Sequence, residues 1–127
     1  VRGEKLEVRM LDLSYKKLDI WNYSLDLVSK IYSLTSKFPK EELFGLTSRL
    51  RRASVSVSSN VAEGLSRTSK LEKIRFLEIS RSSLVEIDTQ LEITLKLKLS
   101  NKNELIEIEK LLNSLFAMIT SLKKKIK

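Results

Sequence analysis

Apolar residues recur at alternating steps of three and four along most of this chain. The cleanest run is Leu105, Ile108, Leu112, Leu115, Ile119, Leu122 and Ile126, the unbroken signature of a helix with one buried face. Upstream, Leu77, Ser80, Leu84, Ile87, Leu91 and Thr94 predict a third helix reaching about Leu99. Each helix has its own start signal. Ser69 with Glu72, and Asn101 with Glu104, are spaced so that side chain and backbone amide of each pair satisfy one another.

A second helix is predicted from Pro39 to Gly64. Proline suits a first turn because the amide it lacks has no partner there anyway, and Glu41 and Glu42 lie near the positive end of the helix dipole. Its inward face reads Leu43, Leu46, Leu50, Ala53, Val57 and Val61, and Gly64 is expected as the C-terminal cap. Residues Ser54 to Ser59 alternate like a strand, but the three-four spacing runs into them from both sides, so the helix is preferred. The small residues Ser48, Ser59 and Ala62 share a face that would admit a close neighbour.

The first helix, Tyr15 to Ser36, carries two stripes. Leu18, Trp21, Leu25, Val28 and Tyr32 form the stripe expected to face the core; Ile20, Leu27, Ile31 and Leu34 form a second. One stripe docks a helix in a bundle, so the other points to a further partner, either another helix of the same chain or another subunit, of which the subunit is expected. Residues 1–14 are mixed in pattern and are expected to form a flexible arm; residues 15–127 make the domain. Short connections set consecutive helices side by side, so the fold class expected is all-α: an antiparallel up-down-up-down four-helix bundle, assembled into a homo-oligomer.

Composition narrows the chemistry. The 127 residues include three Gly, one Pro, no Cys and no His, so thiol and imidazole nucleophiles, bases and metal ligands are all missing. A di-metal bundle would need Glu-x-x-His pairs, and no glycine-rich phosphate loop occurs. No enzyme, catalytic residue, metal or cofactor is therefore expected. Carboxylates such as Glu78, Glu86, Asp88 and Glu92 read as solvated, salt-bridging faces rather than acid–base pairs. No apolar run approaches the ~18 residues that cross a membrane, and no secretory pattern opens the chain. A cytoplasmic protein is expected.

The formal charge is +8, which favours polyanionic partners. Arg49, Arg51 and Arg52 are the densest arginine cluster, yet ~100° per residue fans them over an arc of roughly 160°, too wide for one groove. Guanidinium forks suit phosphate and carboxylate alike, so phosphate contact and inter-helix salt bridges both stay open. Arg67, Lys70, Lys73, Arg75 and Arg81 are candidates to extend a nucleic-acid surface. Lys123, Lys124, Lys125 and Lys127 read as residues that only solvate a helix end. Asn60 and Glu63 are expected to fix helix register, Glu63 by pairing with Arg75 or Arg81.

Several segments resemble a known family: Leu18-x-x-Trp21, Phe38-Pro39-x-Glu41-Glu42-x-Phe44-Gly45-Leu46-Thr47, Leu50-Arg51-Arg52-Ala53, and Asn60-Val61-Ala62-Glu63-Gly64. Together they look like the four-helix-bundle proteins encoded in intervening sequences of bacterial large-subunit ribosomal RNA genes. Arg49 stands where that pattern favours glutamine, Ser82 where it favours glycine, and Val61 where it favours isoleucine. The resemblance implies a homo-oligomer, a pentamer, acting on RNA with no catalytic residue. The expected function is non-enzymatic binding of RNA or DNA through basic surface. A scaffold for an acidic or helical protein partner is the alternative.

Overall fold

The computed structural model describes residue 8 and residues 10–127. Of the arm expected at residues 1–14, residues 1–7 and 9 lie outside the described residues. Four helices carry the fold: α1 (Asp19–Thr35), α2 (Ser48–Ser66), α3 (Lys70–Lys96) and α4 (Lys102–Ile126). α2 and α4 each pack against both α1 and α3, which closes a ring of four around a single core. The core is built by Leu27, Ile31, Leu50, Val57, Val61, Leu77, Ile87, Leu115 and Ile119, all fully buried. Among the described residues there is no strand, and no helix is long and apolar enough to cross a membrane.

At the starts of α3 and α4 the cap side chains accept as predicted. The Glu72 backbone N–H donates to Ser69 Oγ at 3.3 Å, and the Glu104 N–H donates to Asn101 Oδ1 at 3.0 Å. α3 ends on a motif the sequence conceals. Lys98 has φ 59°, while the Lys98 and Leu99 N–H groups donate to Leu95 and Thr94 carbonyls at 3.0 Å each. That is a Schellman cap with lysine in the position usually held by glycine.

Three expectations change. In α1 the buried stripe is the second one: Ile20, Leu27, Ile31 and Leu34 face the core. Leu18, Leu25 and Tyr32 are exposed. Ser24 and Thr35 complete the buried stripe; their hydroxyls donate to the Trp21 and Ile31 carbonyls, at 2.6 and 2.8 Å. Two hydroxyl residues that satisfy themselves on their own helix can be core, and they disguised which stripe was continuous.

The second helix is broken near its start. A 3-10 turn (Lys40–Glu42) and a wide π turn (Leu43–Thr47) precede α2, with Gly45 leaving helical geometry at φ −112°, ψ −114°. Leu43 falls outside the core as a result, at 48% exposed, and Phe44 is 90% exposed.

Gly64 is not a cap. It is buried inside α2, which runs on to Ser66, and it packs against α3. A Cβ at this position would sit 3.2 Å from the Lys73 carbonyl oxygen and 3.3 Å from Leu77 Cγ. Nearby, Ser80 Oγ donates to the Val57 carbonyl at 2.9 Å and Ser83 Oγ donates to Ser56 Oγ at 2.8 Å. Small side chains and hydroxyls thus draw α2 and α3 into the tightest pair of the bundle.

Two opposite glycine substitutions test this picture in denaturant unfolding. Gly64→Ala gains about 1 kcal/mol of helix propensity but meets backbone that must move, an overpacking cost of ~1–3 kcal/mol; the expected net is a loss of about 1 kcal/mol. Lys98→Gly removes a left-handed penalty of ~1–2 kcal/mol and gives back part of it in unfolded-chain entropy. It is expected to gain roughly 0.5–1 kcal/mol.

Candidate nucleic-acid interface

The basic residues do not form one patch around the Arg49–Arg52 cluster. Arg51 is half-buried against α1: its Nε donates to Thr35 Oγ1 at 2.8 Å, and its guanidinium lies 4.5 Å above the Tyr32 ring. It ties α1 to α2. Arg49 and Arg52 are exposed and have no carboxylate partner among the described residues. The helix angles had already split the three arginines; the structure assigns Arg51 to the helix seam.

Asn60 is half-buried and turns back on its own helix. Its Nδ2 donates to the Ser56 carbonyl at 2.8 Å and to Ser56 Oγ at 3.1 Å, so Ser56 receives bonds from both Asn60 and Ser83. Glu63 does not reach Arg75 or Arg81. It pairs with Arg67, one turn along, at 2.9 Å, because the i,i+4 spacing offers a partner without crossing between helices.

The remaining candidates gather at one end. The contacts from Gly64 to Lys73 and from Glu78 to Lys123 (2.9 Å) bring the α2–α3 connection and the last turns of α4 together. Arg67, Lys70, Lys73, Arg75 and Arg81 therefore share this end with Lys123, Lys124, Lys125 and Lys127. Within residues 63–81 and 116–127, nine basic side chains stand against three carboxylates, Glu63, Glu72 and Glu78, and the start of α1 adds Lys16 and Lys17 with Asp12 and Asp19.

Each of those three carboxylates is already engaged. Glu72 lies 3.7 Å from Arg75, and Glu78 lies 3.8 Å from Arg81 as well as bonding Lys123. Lys70, Lys73, Lys124 and Lys125 are left without a carboxylate partner among the described residues. The arginines are also held by rings. Arg67 and Arg75 both lie over Phe76, at 4.8 and 5.6 Å, and Arg81 lies over Phe116 at 4.5 Å. Stacking of this kind fixes the guanidinium plane and leaves N–H groups at its edge for an anion.

The lysines of α4 were missed as members of this set. Their signal was available in the topology: folding the chain back at the connection of residues 97–101 places the end of α4 beside the start of α3.

The sequence profile of the 23S rRNA-intervening sequence protein matches residues 16–121. In fold, the chain is similar to a protein of unknown function from the S23 ribosomal protein family of Bacteroides thetaiotaomicron VPI-5482. The TM-score is 0.76 at 19% identity, over 83% of this chain and 95% of that one. Among curated protein sequences, none matches.

Glu78 is the hinge of the basic end. The hydrogen bond from Lys123 holds its carboxyl below the ordinary carboxylate range; partial burial opposes this, and the charges of Lys123, Arg81 and Lys127 reinforce it. A carboxylate lowered in the folded state contributes stability above its unfolded pKa and loses it as pH falls through the folded value. Glu78 is half-exposed, so solvent screening keeps the effect to about 0.5 kcal/mol or less. In thermal melts, Glu78→Gln is expected to lie slightly below the parent at pH 7, with the gap closing below about pH 4.

Proposed function

Because the chain belongs to the 23S rRNA-intervening sequence protein family, we propose that it is a non-enzymatic homo-oligomer of antiparallel up-down-up-down bundles that binds RNA or DNA. The binding surface is the basic end, and the observation that carries this reading is the surplus of nine basic over three acidic side chains in residues 63–81 and 116–127. The opposed order of the α2–α3 contacts, Ser56 with Ser83, Val57 with Ser80 and Gly64 with Lys73, supports the antiparallel arrangement.

The chemistry fits phosphate rather than bases. Free lysines offer mobile point charges, and ring-stacked arginines offer forks held in place. Contacts of this kind position a nucleic-acid backbone and carry little sequence information. Phe76 and Phe116 are covered by guanidiniums, so neither presents a face for base stacking. Binding is then non-specific, with a dissociation constant of about 10⁻⁴–10⁻⁶ M per subunit that weakens with salt. A pentamer that aligns five such ends multiplies the weak contacts without any new one.

The test is a salt titration of binding to single-stranded RNA and duplex DNA. Replacing Arg67, Lys70 and Lys73 by alanine removes three cations of the basic end. On single-stranded RNA this is expected to reduce the slope of log affinity against log salt by about 2, at roughly 0.7 per phosphate contact. Arg51→Ala is the control: it is expected to lower the melting temperature and leave the slope unchanged. Absence of salt-sensitive binding by the parent at low ionic strength would overturn the reading in favour of a protein-interaction scaffold.

A further inference from the structure

Two apolar faces of the bundle have no partner among the described residues. One is a groove of about 590 Å³ between α3 and α4. Its floor includes Leu91 and Phe116, and its lips carry Val85, 50% exposed, and Ile106, 43% exposed. Asp88, Glu92 and Glu109 line the same groove with a single cation, Lys102, and none of the three carboxylates has an ion-pair partner among the described residues. Three orphan carboxylates on one groove are notable in a chain of charge +8.

The other face is a ridge where α1 and α2 meet. It starts at the contact between Arg51 and Tyr32. From there Val55 lies one turn along α2, and Val28 and Leu25 lie one and two turns back along α1, on the same face as Tyr32. Leu25 and Tyr32 are each 42% exposed and Val55 41%. Arg51 and Arg52 flank Val55, and Arg52 has no carboxylate partner among the described residues. Charge on the ridge is therefore opposite to charge on the groove.

We infer that the ridge of one copy seats in the α3–α4 groove of a second copy, head to tail. This rests on the homo-oligomeric part of the reading above and deepens it by assigning the two faces. A two-fold pair would match ridge to ridge and groove to groove. Each contact would then set like charges together and leave a groove unfilled. A head-to-tail contact uses one ridge and one groove per subunit, so the same interface repeats until it closes as a ring. Apolar seating provides the attraction, and the Arg52 guanidinium meeting the groove carboxylates selects the orientation.

A complementation experiment decides it. Leu25→Asp spoils the ridge and keeps the groove; Ile106→Lys spoils the groove and keeps the ridge. Both side chains are exposed, so helix content by circular dichroism is expected to match the parent. By light scattering on a sizing column the parent is expected to be an oligomer and each variant a monomer. An equimolar mixture is expected to give a heterodimer of twice the monomer mass, because one good groove meets one good ridge.

A monomeric parent, a single variant that assembles normally, or a mixture that stays monomeric overturns the proposal. Arg52→Glu supplies a second readout that does not depend on the apolar variants folding. It is expected to weaken assembly about tenfold or more at low salt; unchanged assembly would count against the assigned faces. Salt-sensitive RNA binding by the monomeric variants is expected to persist, so failure here and failure of nucleic-acid binding are told apart.

Discussion

The close approach of α2 and α3 is the constraint on which the rest of the bundle depends. Two helices can come this near only where side chains are small. Here Gly64, Ser56, Ser80 and Ser83 supply that smallness while their hydroxyls stay hydrogen-bonded. Buried hydroxyls without partners would each cost free energy; bonded across the seam, they fix how far one helix slides along the other. That register in turn sets which residues of α3 face α4. The Glu78–Lys123 bridge and the stack of Arg81 on Phe116 are downstream of it.

Much of the fold was legible in periodicity because α3 and α4 follow one continuous stripe each. Leu77, Leu84, Ile87 and Leu91, and Leu105, Ile108, Leu115 and Ile119, are buried as their spacing implies. α1 was misread because hydropathy ranks serine and threonine as polar. Ser24 and Thr35 are buried, with their hydroxyls bonded to carbonyls of their own helix. Gly64 was misread for a related reason. A glycine near a helix end serves as a cap or as a gap for a neighbour, and only the position of α3 distinguishes the two. Lys98 is the converse case, a left-handed cap position with no glycine to announce it.

The candidate site was legible in its parts and not in its grouping. Local sequence density drew attention to Arg49, Arg51 and Arg52, yet density along a helix disperses charge around it. Arg51 is occupied by Tyr32 and Thr35. The cations that gather do so from separate helices, through contacts between residues more than forty positions apart. Lysines at the end of α4 look like solubilising residues until the start of α3 is set beside them.

The surplus of those lysines and arginines over nearby carboxylates implies an electric dipole moment with a component along the bundle axis. Such a molecule is turned as well as attracted in the field of a polyanion, so it approaches end-on before any contact forms. Cyclic and dihedral symmetry treat that moment differently. Back-to-back pairing cancels the axial component, whereas subunits related only by rotation about an axis parallel to their bundles add theirs. A ring built in that way is a polar object with one electropositive pole. Torque in an external field, measured as transient electric birefringence, would report its symmetry directly.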